Sequence, residues 1–224
     1  MSPAADGERP RIVRFALADL HEQLDAFATR WPASRADRRG WVFSTPDGCA
    51  RLRVPLAALR VVPGEALVEY LARFELAAER QVVFLLQAGA MAFGYWDGDV
   101  LQDHRALRRY VVRGKGRAQP KHLRTRGKSR YGARLRLQNW QRLLAESAAR
   151  LGDSWARFGA PERIFYAAPV RVLGDLFAVE PPPPFGRDDP AVQRVPMHVH
   201  RPDFAELQRV RGWLRHGRLE LPHD

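Results

Sequence analysis

Three strand signals follow one another from residue 81 with almost no chain between them: QVVFLLQ (81–87), AMAFGYW (90–96) and VLQDHR (100–105). A tight Ala88-Gly89 step joins the first two, and Asp97-Gly98, a good hairpin dipeptide, turns the chain into the third. Parallel neighbours need a crossover of a dozen or more residues, so links this short predict an antiparallel meander. RRYVVR (108–113) extends the third strand or follows it after a bulge.

Alternating helices and strands come next. Ser129 is expected to cap a long helix whose apolar face holds Leu135, Leu137, Trp140, Leu143, Leu144, Ala148, Leu151 and Trp155, and Gly159-Ala160-Pro161 ends it. RIFYAAP (163–169) reads as a strand buried on both faces, and VRVLGDLFA (170–178) as a short helix. PPPPFG breaks the chain, and AVQRVPMHV (191–199) reads as a last strand. A helix over 203–216 turns Phe204, Leu207, Val210 and Leu214 inward. Three strands followed by helix, strand, helix, strand, helix is the order of the ribonuclease H-like fold, an α/β class with a mixed sheet. Nucleases of that fold hold two metal ions on inward carboxylates. Here QVVFLLQ carries no acid, the long helix has none before Glu146, and IFYAA has none, which excludes that chemistry.

Residues 1–79 form a separate N-terminal extension in this reading, and 80–224 the main domain. The extension holds a short amphipathic helix over 18–31 (Leu20, Leu24, Phe27) with Asp19 as N-cap, a hairpin over 41–54 around TPDG, and a helix-like connector over 64–79. At 224 residues and 46% hydrophobic, the chain suffices for one good core, or for one core plus a small appendage.

The charge is concentrated. The chain carries +12, yet residues 104–145 hold 14 Lys or Arg and no acid, so the rest sums to −2. Its stretch 113–131, RGKGRAQPKHLRTRGKSRY, contains eight of these cations and three glycines, with Gln119 just past its middle pair. All three lysines of the chain, against 34 arginines, lie here. A near-neutral body with one basic element draws a polyanion to one place, and nucleic-acid phosphates are the usual candidate.

A basic loop between the third strand and the long helix of this fold, with its glutamine, resembles the catalytic domain of the eukaryotic and archaeal peptide-chain release factors. It is closer still to the Vms-like release-factor family. RRYVVRGKGRAQ (108–119), GKSRYGARLRLQNW (127–140), ERIFYAAP (162–169) and VPMHVHRPDFAEL (195–207) carry the resemblance, which covers about residues 80–216. Gln119 matches the family's functional glutamine and Gly116 its leading glycine. Ala118 stands where a glycine or serine is usual, and Arg117 where glycine is commonest.

The resemblance implies a metal-independent, cofactor-free hydrolase in ribosome quality control, acting on the CCA end of peptidyl-tRNA at the ribosome or its large subunit. Gln119, Gly116, Ala118 and Arg113 would form the catalytic tip, within a basic loop spanning 113–130. Lys115, Arg117, Lys121, Arg124, Arg126, Lys128, Arg130 and Arg134 would hold the RNA backbone. Hydrolysis of the peptidyl ester and endonucleolytic removal of the CCA end both stay open. The alternative is a non-catalytic RNA- or ribosome-binding protein that uses the same loop.

Other residues read more plainly. Arg134 and Arg136, two apart on a helix, point in different directions, so only one faces RNA. Tyr110 is expected half-buried in its strand, and Trp140 and Trp155 in the core. His198 and His200 share a strand face but lack a third ligand nearby, and Cys49 lacks a nearby His. One cysteine, no signal-peptide-like N-terminus and no apolar run of membrane length point to a cytoplasmic protein with no membrane contact.

Overall fold

Alternation explains the first sheet. The computed structural model describes residues 10–74, 80–111 and 128–223, side chains at 128–131 excepted. It divides into two units, Met1–Ala77 with Arg211–Asp224, and Ala78–Val210. In the first unit, β1 (Arg11–Ala16) leads through a 3-10 turn (Leu17–Asp19) into α1 (Leu20–Arg30). Three short strands follow, β2 (Arg35–Ala36), β3 (Val42–Ser44) and β4 (Arg51–Arg53), then α2 (Leu67–Arg73). The last strand of the chain, β10 (His216–Leu221), lies between β1 and β4, giving the antiparallel order β1-β10-β4-β3-β2. Phe15, Phe43, Leu52 and Leu219 point to one face and bury with Leu20, Leu24, Phe27, Leu67 and Tyr70 of the helices.

This unit departs from the sequence expectations in three ways. The hairpin over 41–54 is present as β3 and β4, but β1, β2 and β10 were not expected. Because β10 pairs with β1 and β4, Arg211–Asp224 group with the N-terminal unit rather than with the main domain. Asp19 holds the N-cap position of α1 as expected but makes no side-chain cap bond to it; its carboxylate accepts the Ala16 N–H at 3.2 Å and closes the 3-10 turn. The helix expected over 64–79 is confined to α2 among the described residues, and residues 75–79 lie outside them.

Gly217 sits opposite Phe15 in the β1–β10 ladder, and a Cβ there would enter the Phe15 ring. Gly217→Ala therefore displaces a buried aromatic. We expect it to lower unfolding free energy by about 2 kcal/mol, the usual scale of overpacking, measured by denaturant melt.

The second unit is a mixed sheet. β5 (Arg80–Gln87), β6 (Ala90–Asp97) and β7 (Val100–Arg108) form the antiparallel meander. The 31-residue α3 (Lys128–Phe158) follows, then β8 (Arg163–Ala167), α4 (Val170–Phe177), β9 (Val192–Arg194) and α5 (Phe204–Leu214). β8 adds parallel to β5, and β9 parallel to β8, so the order is β7-β6-β5-β8-β9. The meander at one side and two parallel strands at the other are the expected ribonuclease H-like arrangement.

Both faces of the sheet are covered. Val82, Phe84 and Leu86 pack with Leu143, Leu144, Ala148 and Leu151 of α3 and with Leu173 and Leu176 of α4. On the other face, Leu207 of α5 closes over Gly94, 2.9 Å from where a Cβ would stand. Two expectations shift. The strand over 191–199 is confined to β9 (Val192–Arg194), beyond which the Val195 N–H makes one more bond, to the Tyr166 carbonyl at 2.8 Å. Of the inward residues on α5, Phe204 is exposed and the others are buried.

No helix among the described residues is long and apolar enough to cross a membrane.

Candidate nucleic-acid interface

The basic element sits between a strand end and a helix start, and the structure fixes both. At 1.5 Å per residue α3 is about 46 Å long. Its C-terminal half is anchored. Gly159 (φ +86°) ends it in the left-handed conformation, and the Tyr95 hydroxyl donates to the Phe158 and Gly159 carbonyls at 3.2 and 3.0 Å. Arg80 and Glu162 lock the same corner with a 2.7 Å ion pair; burial pushes the Glu162 carboxyl up, but the hydrogen bonds and charge of Arg80 outweigh it and hold the carboxyl below its usual range.

The N-terminal half is different. Arg134, Leu135 and Leu137 are exposed, and burial of the apolar face begins only around Trp140. The expectation that Leu135 and Leu137 join the core is therefore corrected. Trp140 and Trp155 do pack against it, the Trp140 indole N–H donating to Asp175 at 3.1 Å. Arg134 is exposed and Arg136 partly covered, so Arg134 is the outward member of that pair. Arg142 is also exposed. α3 begins at Lys128, so Ser129 is already helical rather than a cap. Lys128 and Arg130 occupy that first turn.

The remaining predicted site residues (Arg113, Lys115, Gly116, Arg117, Ala118, Gln119, Lys121, Arg124 and Arg126) lie outside the described residues. What the structure gives is the frame that holds their ends. The chain leaves β7 along the β5–β6 turn, where the Arg109 N–H donates to the Gly89 carbonyl at 2.9 Å. Gly89 has φ +87°, and a Cβ there would stand 2.8 Å from the Arg109 carbonyl oxygen, so only glycine allows this approach. The Arg109 guanidinium pairs with Glu146 of α3 at 2.5 Å, and the Asn139 amide donates to the Tyr110 carbonyl at 2.9 Å. Two side chains of α3 thus tie down the strand end that feeds the loop.

This changes the meaning of two cations in the acid-free segment. Arg108 pairs with Asp203 at 2.9 Å and Arg109 with Glu146, so both serve the frame. Arg105 stays exposed. Tyr110, expected half-buried, is 55% exposed just past the end of β7, where its ring is available to stack on a base. Sequence reasoning missed Gly89, Arg109, Asn139 and Glu146 as a set. The available signal was Glu146 itself, the first acid on a helix that opens with a run of cations.

The histidine pair has a structural explanation. His198 and His200 do not sit on a strand, although their rings are 5.1 Å apart. Glu206 accepts the His200 N–H at 2.6 Å and pairs with Arg209, which also donates to the His198 carbonyl; Gln87 donates to the Val199 and His200 carbonyls. No group of three or more metal-binding side chains occurs among the described residues. The Arg209 hydrogen bond holds the Glu206 carboxyl below its usual range. A depressed carboxylate stabilises the fold above the unfolded pKa and loses that contribution as pH falls through the folded value. Below about pH 4.3 we therefore expect the amides around His200 to exchange faster, and Glu206→Gln to abolish that acid step.

Comparison with known proteins bears on the family and the fold. The family model described as Bacteroidetes VLRF1 release factor matches residues 81–220. The tRNA endonuclease ANKZF1 of Mus musculus is 35% identical over 133 residues, 58% of this chain. That alignment spans only 18% of the mouse protein. The solved Vms1 mitochondrial localization core has the same fold at 14% identity, with a TM-score of 0.51 over 93% of this chain and 82% of its own.

Proposed function

Because the chain belongs to the Bacteroidetes VLRF1 release factor family, we propose that it acts on the CCA end of peptidyl-tRNA to free nascent chains from stalled ribosomes. The carrying observation is the acid-free segment 104–145 with Gly116-Arg117-Ala118-Gln119 inside it, its ends framed between β7 and α3. Exposed cations such as Arg134 hold backbone phosphates without reading sequence. Gln119 is an uncharged donor and acceptor; it cannot serve as a general base at neutral pH. Its work is positioning and electrostatic stabilisation at the scissile group.

Of the two possible reactions, the likeness to a named tRNA endonuclease favours cleavage within the RNA. The balanced step is an attack by a ribose 2′-oxygen on its own 3′-phosphate. The new O–P bond forms as the P–O bond to the next nucleotide breaks. The 2′-hydroxyl proton leaves, and a proton is returned to the departing 5′-oxygen. Arg113 supplies positive charge for the phosphorane-like transition state, and the products are a cyclic phosphate and a 5′-hydroxyl. This needs no carboxylate-bound metal, in keeping with QVVFLLQ and IFYAA, which carry no acid. We place the reaction in the cytoplasm.

The test is incubation of the protein with large ribosomal subunits carrying stalled peptidyl-tRNA. Peptide still joined to CCA, with a cyclic phosphate on the shortened tRNA, is the expected result. Peptide released from tRNA with an intact CCA would replace it with ester hydrolysis. Binding without any cleavage would return the loop to a purely RNA-binding role.

A further inference from the structure

The outward face of the first sheet carries charge that the fold does not ask for. Cross-strand partners share a face, so Arg14 of β1, Arg218 of β10 and Arg53 of β4 stand side by side across three strands. Neighbouring strands are about 4.8 Å apart, which makes this a row roughly 10 Å wide. Arg51 and Arg35 project from the same face one ladder step away, and Glu220 is the acid among them. Glu220 pairs with Arg218 at 2.8 Å and more distantly with Arg51 at 3.9 Å. Glu220 thus forms its ion pairs with Arg218 and Arg51 and acts on Arg53 only through its charge.

Like charges directly opposite in a ladder destabilise a sheet. Here the middle arginine has one on each side. Its Nε is buried with no hydrogen-bond partner among the described residues. The Arg53 guanidinium has its pKa lowered, by burial first and then by Arg218. It also lies 5.6 Å from the centre of the Trp213 ring. The clustering is not a sample of a generally basic surface, since the chain outside residues 104–145 has a net charge of −2. A row of planar, always-charged forks beside an aromatic ring fits phosphates linked along a strand, the ligand that guanidinium geometry matches best.

We propose that this arginine face is a second RNA-backbone contact, carried by the first unit and independent of the basic loop. It positions the RNA without reading its bases and takes no part in bond cleavage.

The test reads binding alone. A labelled single-stranded RNA is titrated across a salt series with the wild type, the triple variant Arg14→Gln/Arg51→Gln/Arg53→Gln, the loop variant Lys115→Ala/Lys121→Ala/Lys128→Ala, and both combined. Each lost phosphate contact flattens the log–log salt slope by about 0.7, so the face variant flattens it by about 2, in the wild-type and loop-variant backgrounds alike. Arg14→Lys/Arg51→Lys/Arg53→Lys retains the slope. An unchanged slope, as expected if the face binds an acidic protein instead, overturns the proposal. So does a decrement that vanishes in the loop variant, which would mark a remote field rather than a contact. If the triple variant fails to fold, Arg14→Gln alone, at an exposed position, must still flatten the slope by about 0.7. Loss of binding in the loop variant with none in the face variant leaves the loop reading standing and this one fallen; the reverse outcome does the opposite.

Discussion

Gln119→Ala lowers tRNA cleavage about 10²–10³-fold, the scale seen when one preorganised donor is removed from a transition state. RNA affinity and its salt slope stay unchanged, because an amide adds no charge to a backbone contact governed by counterion release. The loss therefore falls on the single-turnover rate with saturating enzyme. Gln119→Asn keeps the amide but withdraws it by one methylene, and falls between the two. Gln119→Glu matches the shape while placing a carboxylate beside developing negative charge, and is no better than alanine. Full activity in Gln119→Ala would move the chemistry off this loop. Equal losses in affinity and rate would make Gln119 an RNA anchor instead.

Much of the second unit is readable because its signals are local. Val82 to Leu86 are continuously apolar, Gly89 and Asp97-Gly98 mark turns, and Gly159 stops a helix that nothing earlier interrupts. Each sits within a few residues of the structure it dictates. The first unit hides its sheet because the pairing is remote. RIVRFA and HGRLEL are unremarkable alone, and only the register of Arg11 with Leu221 makes either a strand. Ile12 and Ala16 on the outward face of the one, and Gly217 on the inward face of the other, blur the alternation that marks a strand. Leu135 and Leu137 mislead for a related reason. Helical spacing places them near the apolar stripe, but it cannot say that the sheet supplies no partner before Trp140.

The site divides in the same way. Its charge shows in composition, as fourteen cations without an acid over residues 104–145. Its frame does not, since Arg109 and Glu146 are 37 residues apart and meet only once α3 crosses the end of β7. A count of charge includes Arg109 with the other cations of the segment; the structure pairs it with Glu146 of the helix.

That frame leads to the second large effect. Glu146→Ala lowers the cleavage rate by about 10²-fold, the cost of misplacing a reacting group by about 1 Å, while RNA binds as well or better. The two readouts separate because the substitution removes an acid from a basic neighbourhood and at the same time releases one stem of the loop. Both partners are about one-third exposed, so solvent screening limits the pair's contribution to stability to about 1 kcal/mol. A small shift in melting temperature beside a large loss of rate is therefore the expected pattern. Glu146→Gln keeps an acceptor for the Arg109 guanidinium and recovers part of the rate, which a simple charge effect on binding would not produce. Gly89→Ala should match the Glu146→Ala rate defect from the opposite side of the stem, since its Cβ would press on the Arg109 carbonyl. Combining the two tests the shared mechanism. If both act by displacing residues 109–111, their effects on rate are less than additive. Fully additive losses, or a Glu146→Ala enzyme that cleaves at the wild-type rate, would mean that the loop keeps its geometry without this clamp.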